Sequence, residues 1–305
     1  MFLNDTISPF VPLYRQRTFG DKFSDTLTFL RGQWRPLLTL MVYFILPLCM
    51  VLSVLLPDVV NIDSQSEGPD TTSFLCMVLG SLLGTTMLSA LVFALLRQYF
   101  YAPEKLQAPT LRSLWPDVRY CLWRGVLLML MLCAVGLLGA GLYFTLSAIL
   151  VSDPALLIIF IIFSFPAIFC LLLPLGLSAA RTMLTDEGVL HSMLAGYRLG
   201  YKTMIGVAAI VMTFSLLGSC ISGLCSLPMT VCFIAKAIAF GSNETSFVET
   251  PLFALIQYLS GVLYFFTQFA CSSLALVALA FQYGHAADKL EGVGATYDIA
   301  NFENL

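Results

Sequence analysis

The chain has 305 residues, 59% of them hydrophobic, with a mean hydropathy of +0.89 and a formal net charge of −3. That composition lies outside the range of an ordinary soluble domain, and it supplies no basic excess for nucleic acid. Its nine cysteines are scattered without the spacing of a metal or redox site, so they read as small apolar packing residues and no cofactor is expected.

A bilayer core about 30 Å thick needs ~20 mostly apolar residues of helix. The first 36 residues fall short of that. They form a polar arm in which Phe19, Phe23, Leu27, Leu30 and Trp34 recur at spacings of three and four, the stripe of an amphipathic helix. Such a helix is expected to lie in the headgroup plane. Six apolar runs follow: Leu37–Leu56, Thr72–Leu96, Val126–Val151, Ala155–Ala180, Met204–Leu227 and Pro251–Phe281. None contains Asp, Glu, Lys or Arg. Period-two alternation is absent, so the expected fold is an all-α integral membrane protein rather than a barrel. The first run lies too far from the start for an ordinary signal peptide and reads as a retained anchor. Pro47, Pro166 and Pro174 interrupt the first and fourth runs and predict kinks. After the fifth run, Pro228 is expected to break the helix, leaving a short external interfacial helix that carries Lys236. Of two sequons, at Asn4 and Asn243, only Asn243 falls on an external segment. The tail, residues 282–305, begins amphipathically, and its Tyr297, Ile299 and Phe302 are expected to pack into a groove on the cytoplasmic face.

Charge fixes an expected orientation. Fourteen of the fifteen Lys and Arg residues lie before the first run, between the second and third, between the fourth and fifth, or after the sixth; the exception is Lys236. The positive-inside rule places those segments, and both termini, in the cytoplasm. Acidic residues divide eleven inside and seven outside.

A repeat is superposed on this pattern. Residues 23–35 and 190–202 align at Leu27/Leu194, Arg31/Arg198, Trp34/Tyr201 and Arg35/Lys202; residues 111–124 form a weaker copy ending in Trp123-Arg124. The predicted architecture is three helical hairpins, each preceded by a cytoplasmic interfacial amphipathic helix. Trp34, Arg35, Trp123, Arg124, Tyr201 and Lys202 are its interfacial anchors, rings at the headgroup level and cations on lipid phosphate. Small residues at Gly80, Gly84, Gly136, Gly139, Gly141, Gly206 and Gly218 are expected to let the helices approach.

Catalytic chemistry is not legible. His191 and His285 lie on cytoplasmic segments with no nucleophile at useful spacing, and charge-free spans argue against a proton-coupled pump. Gln257 and Gln268 are the most polar intramembrane side chains and the candidate lining of any polar pathway.

The opening Tyr14-Arg-Gln-Arg-Thr-Phe-Gly-Asp-Lys-Phe and the segment Phe281-Gln-Tyr-Gly-His-Ala-Ala-Asp-Lys-Leu-Glu-Gly resemble uncharacterised multi-span inner-membrane proteins of Bacteroidetes bacteria. The three-hairpin layout is similar to the membrane-domain family of glycerophosphodiester phosphodiesterases, here without a catalytic domain. The resemblance implies a bacterial inner-membrane location and supplies no functional residue. Two functions follow as expectations. One is a non-enzymatic scaffold, embedded in the lipid bilayer, that docks a membrane or cytoplasmic protein partner on its cytoplasmic face. The alternative is a permease or lipid-handling transporter with a cavity between hairpins.

Overall fold

The computed structural model describes residues 11–59, 71–101, 111–242 and 246–294. Among the described residues the chain is helical with no strand, in nine helices: α1 (Phe19–Val59), α2 (Thr71–Tyr101), α3 (Leu111–Leu150), α4 (Pro154–Leu172), α5 (Leu175–Leu184), α6 (Val189–Lys202), α7 (Met204–Cys225), α8 (Leu227–Ser242) and α9 (Pro251–Glu291). Six segments are long and apolar enough to cross a membrane: α1, α2, α3, α4 with α5, α7 and α9. Tyr297, Ile299 and Phe302 of the tail lie outside the described residues, as do both sequons.

Prolines and capping residues set the breaks. Pro36 lacks an N–H and crowds the preceding turn, so α1 kinks at Gln33, where φ is −113° and ψ is 15°. Thr203, between α6 and α7, has nearly the same backbone, φ −116° and ψ 26°. Residues 23–35 and 190–202 thus both have a bend beside their aromatic–basic pair, whereas Trp123-Arg124 lies inside the continuous helix α3. The fourth apolar run is not one rod: it divides before Pro174 into α4 and α5. The break after the fifth run falls at Ser226, two residues ahead of Pro228. Pro228 then occupies the first turn of α8, where a missing N–H costs little. At the start of α9 the Thr250 hydroxyl accepts from the Phe253 N–H at 3.3 Å; Gly292, at φ 67°, ends the helix in the left-handed region.

α9 is the central post. It packs on α1 and α7 along most of its length and on α2, α5 and α8 over shorter stretches. The Ser53 hydroxyl donates to the Tyr258 carbonyl at 2.7 Å, a polar tie between α1 and α9 within their apolar spans. Gly84 brings α2 so close that a β-carbon there would stand 2.5 Å from Phe269 and 2.8 Å from Leu48. α4 is loosely held: among the described residues its main neighbours are α3 and α5, and its side chains are exposed along most of the helix. Among the described residues, a β-carbon at Gly136, Gly139 or Gly141 would meet nothing within 4 Å, so the close packing expected of them is not made there.

At 41 residues, α1 and α9 are each about 60 Å long, roughly twice the apolar thickness of a bilayer. Each carries its charged residues towards one end, and a core of large side chains extends to that end. Phe29, Phe93, Leu95, Leu96, Leu177 and Phe281 are fully buried. Phe29 meets Tyr99 edge-on at 5.0 Å and Phe281 at 6.2 Å, joining α1, α2 and α9.

The N-terminal arm is pinned to this core. The Val11 N–H donates to the Tyr99 hydroxyl at 2.9 Å, and the Leu13 carbonyl lies where a β-carbon at Gly284 would be. Arg17 is wholly buried. Its Nε reaches Asp25 at 2.6 Å, Nη1 bonds the Leu13 carbonyl at 2.8 Å, and the guanidinium lies over the Phe281 ring. Asp25 compensates a cation that burial alone destabilises, holding its pKa from falling further. The Arg17 backbone N–H donates to His285 Nδ1 at 2.9 Å.

A candidate docking face at the charged end

The anchor residues divide. Trp34, Trp123 and Tyr201 are between 52% and 67% exposed, and Arg35 stacks over Trp34 at 5.4 Å. Lys202 is exposed as well. Arg124 departs from the expectation: only 7% exposed, it turns inward to the Tyr120 hydroxyl and the Glu187 carbonyl rather than outward to lipid phosphate. The reason is distant in sequence, since the α5–α6 loop supplies its acceptor. The two glutamines separate too. Gln257 is buried, with Nε2 unpartnered among the described residues, whereas Gln268 is exposed on the outside of α9.

A polar network organises the charged end. Arg97 of α2 reaches Asp186 at 2.7 Å and Asp117 of α3 at 3.8 Å, with its guanidinium 4.5 Å from the Tyr120 ring. The Tyr120 hydroxyl donates to Asp186 at 2.9 Å. Gln98 donates to Asp117 at 3.0 Å. Arg181 of α5 binds Glu187 at 3.1 Å and Glu291 of α9 at 2.6 Å. The hydrogen bond from Arg97 holds the Asp186 carboxyl below its ordinary range, and that from Arg181 does the same for Glu187. Asp186 therefore ties the α5–α6 loop to α2 and α3, and Arg181 joins Glu187 of the same loop to α9 through Glu291.

α6 is seated by glycine. A β-carbon at Gly196 would stand 2.7 Å from the Ser178 Cα, and one at Gly200 2.7 Å from the Pro174 carbonyl. The Gly196-x-x-x-Gly200 spacing puts both on one face, so α6 lies backbone to backbone on α5. The Ser178 hydroxyl donates to the Met193 carbonyl at 3.0 Å across that contact. These glycines sit in the segment 190–202, and their spacing is the sequence signal for the contact.

With its inner face so engaged, α6 turns His191, Leu194, Arg198 and Lys202 outward, and with Leu290 and Glu291 they line a groove of about 290 Å³. Among the described residues Arg198 and Lys202 form no ion pair, whereas Glu291 is held by Arg181. The groove thus offers uncompensated positive charge beside leucine side chains. Among the described residues no three His, Cys, Asp or Glu side chains are grouped to hold a metal. The chain matches no protein-family model, no curated protein and no solved structure.

Proposed function

We propose that this chain is a non-enzymatic scaffold of a bacterial inner membrane, with both termini and the charged end in the cytoplasm, where a protein partner docks. In this reading three hairpins, α1/α2, α3/α4 and α7/α9, are each led by an amphipathic segment at the interface. The carrying observation is the α6 groove: ion pairs through Arg97 and Arg181 hold the loop that leads into the helix, yet among the described residues Arg198 and Lys202 on its outer face are left uncompensated. Such a surface suits an acidic, partly apolar protein segment. The distribution of Lys and Arg supports the orientation. Affinity purification in mild detergent tests it. A partner retained in stoichiometric amount by the wild type should be lost from Arg198→Glu/Lys202→Glu at equal membrane yield; the same proteins on both would contradict the reading.

One observation favours the lipid-handling or permease alternative. Gln257 buries an amide nitrogen that has no hydrogen-bond partner among the described residues, and Gln268 lies about three turns along the same helix. Under that reading Gln257→Leu abolishes function while leaving folded yield and co-purifying proteins unchanged.

A further inference from the structure

We propose that the α6 groove is occupied by the chain's own segment 295–305, which is what a docking partner must displace. Occupancy by the tail stands without any partner; only its regulatory consequence rests on the docking function proposed above. The first ground is complementarity. The segment Ala-Thr-Tyr-Asp-Ile-Ala-Asn-Phe-Glu-Asn-Leu carries Asp298 and Glu303 and no Lys or Arg. The groove presents Arg198 and Lys202; His191 stands 4.0 Å from Glu187, and the one acid of the lining, Glu291, is already bonded to Arg181 at 2.6 Å. Tyr297, Ile299 and Phe302 match the leucine surface of Leu194 and Leu290.

The second ground is position. Leu290 and Glu291, which close one end of the groove, are the last residues of α9, so the tail is tethered at the groove's rim. Gly292 turns the chain, and the Gly294 N–H bonds Asp288 at 3.0 Å, folding the exit back onto the helix. From Gly294, eleven residues reach up to about 36 Å when extended. The whole of α6 measures about 21 Å. Tethering raises the local concentration of the tail to the millimolar range, so weak contacts suffice.

The third ground separates the tail from lipid. α9 leaves its apolar run at Phe281, and Leu290 lies about 13 Å further along the axis. The Leu290–His191 end of the groove is therefore beyond the bilayer surface, at the root of the tail, and only the Lys202 end borders the headgroups.

The test is photo-cross-linking in the full chain, with p-benzoylphenylalanine placed at Phe302 and the product mapped by mass spectrometry. The expected product is an intrachain link to residues 189–202 or 290–291. Arg198→Glu/Lys202→Glu should reduce it about fivefold, the size expected of two exposed charge pairs. Asp298→Lys/Glu303→Lys in the same background should restore it, which separates charge recognition from misfolding. Links to lipid, to a second copy or to another segment would overturn the proposal, as would a yield indifferent to both charge reversals. Loss of a co-purifying partner without the cross-link would overturn tail occupancy and leave the docking function standing; the cross-link without any partner would do the reverse.

Discussion

Arg181 and Glu291 are 110 positions apart in the chain and meet at 2.6 Å. Their contact, shared with Glu187, joins α5 to the end of α9, and it neutralises the one acid lining the α6 groove.

Replacing Arg181 by Met should therefore cost about 1–3 kcal/mol, because two carboxylates lose a charged donor. Thermal unfolding in detergent reads the loss. Glu291→Gln should cost less, since Glu291 is half-exposed and Arg181 keeps Glu187.

Gly200 and Gly136 form a matched pair. Alanine at Gly200 drives a β-carbon to 2.7 Å from the Pro174 carbonyl, whereas at Gly136 it enters open space. Gly200→Ala should destabilise by about 1–3 kcal/mol, a backbone-against-backbone clash. Gly136→Ala should stay within about 0.5 kcal/mol. Comparing the two melting temperatures checks the seating of α6.

Arg124 and Arg35 each follow a tryptophan in an aromatic–basic pair but should behave differently. Arg124→Ala removes a buried donor to Tyr120 and Glu187 and should lower detergent stability by about 1–3 kcal/mol. Arg35→Ala removes an exposed cation worth about 1 kcal/mol against anionic lipid, so its effect should show as a partial loss of membrane yield. Equal effects in detergent would contradict the inward placement of Arg124.

The contrast marks where reading the sequence stops. Apolar runs locate the spans because bilayer thickness sets their length, and Pro228 signals the α7–α8 break to within two residues. The stripe through Phe23, Leu27, Leu30 and Trp34 likewise reads as helix because its period is local. Nothing local tells Arg124 from Arg35, since Arg124 is turned inward by Glu187, 63 positions away. Gly196 and Gly200 carry the spacing of a packing face, but the sequence does not say that α5 is the neighbour. Gln268 stands on a span like Gln257, and only the arrangement of neighbouring helices leaves it exposed.

His285 gives the protein a pH dependence. It lies past the apolar run of α9, and its pKa falls from an ordinary 6.5 to about 4, through burial first and then through Lys22, Lys289 and Arg17. A depressed pKa means the unfolded chain takes the proton before the folded one does. The contribution is present above pH 6.5 and is lost as pH falls from there to about 4. Protonation also opposes the hydrogen bond that Nδ1 accepts from Arg17. Melting temperatures in detergent should fall across that window. In His285→Asn, whose side-chain oxygen can accept the same N–H without titrating, the fall should be shallower; an identical profile would remove His285 as the cause.

The charged end and its groove must face the cytoplasm for any of this to reach a cytoplasmic partner. Cysteine accessibility in intact cells, in a background cleared of native cysteines, measures that directly. The account predicts that Ser66→Cys is labelled by a membrane-impermeant reagent while Ser113→Cys, near the start of α3, is protected until lysis. Labelling of Ser113→Cys in intact cells with protection of Ser66→Cys would contradict it.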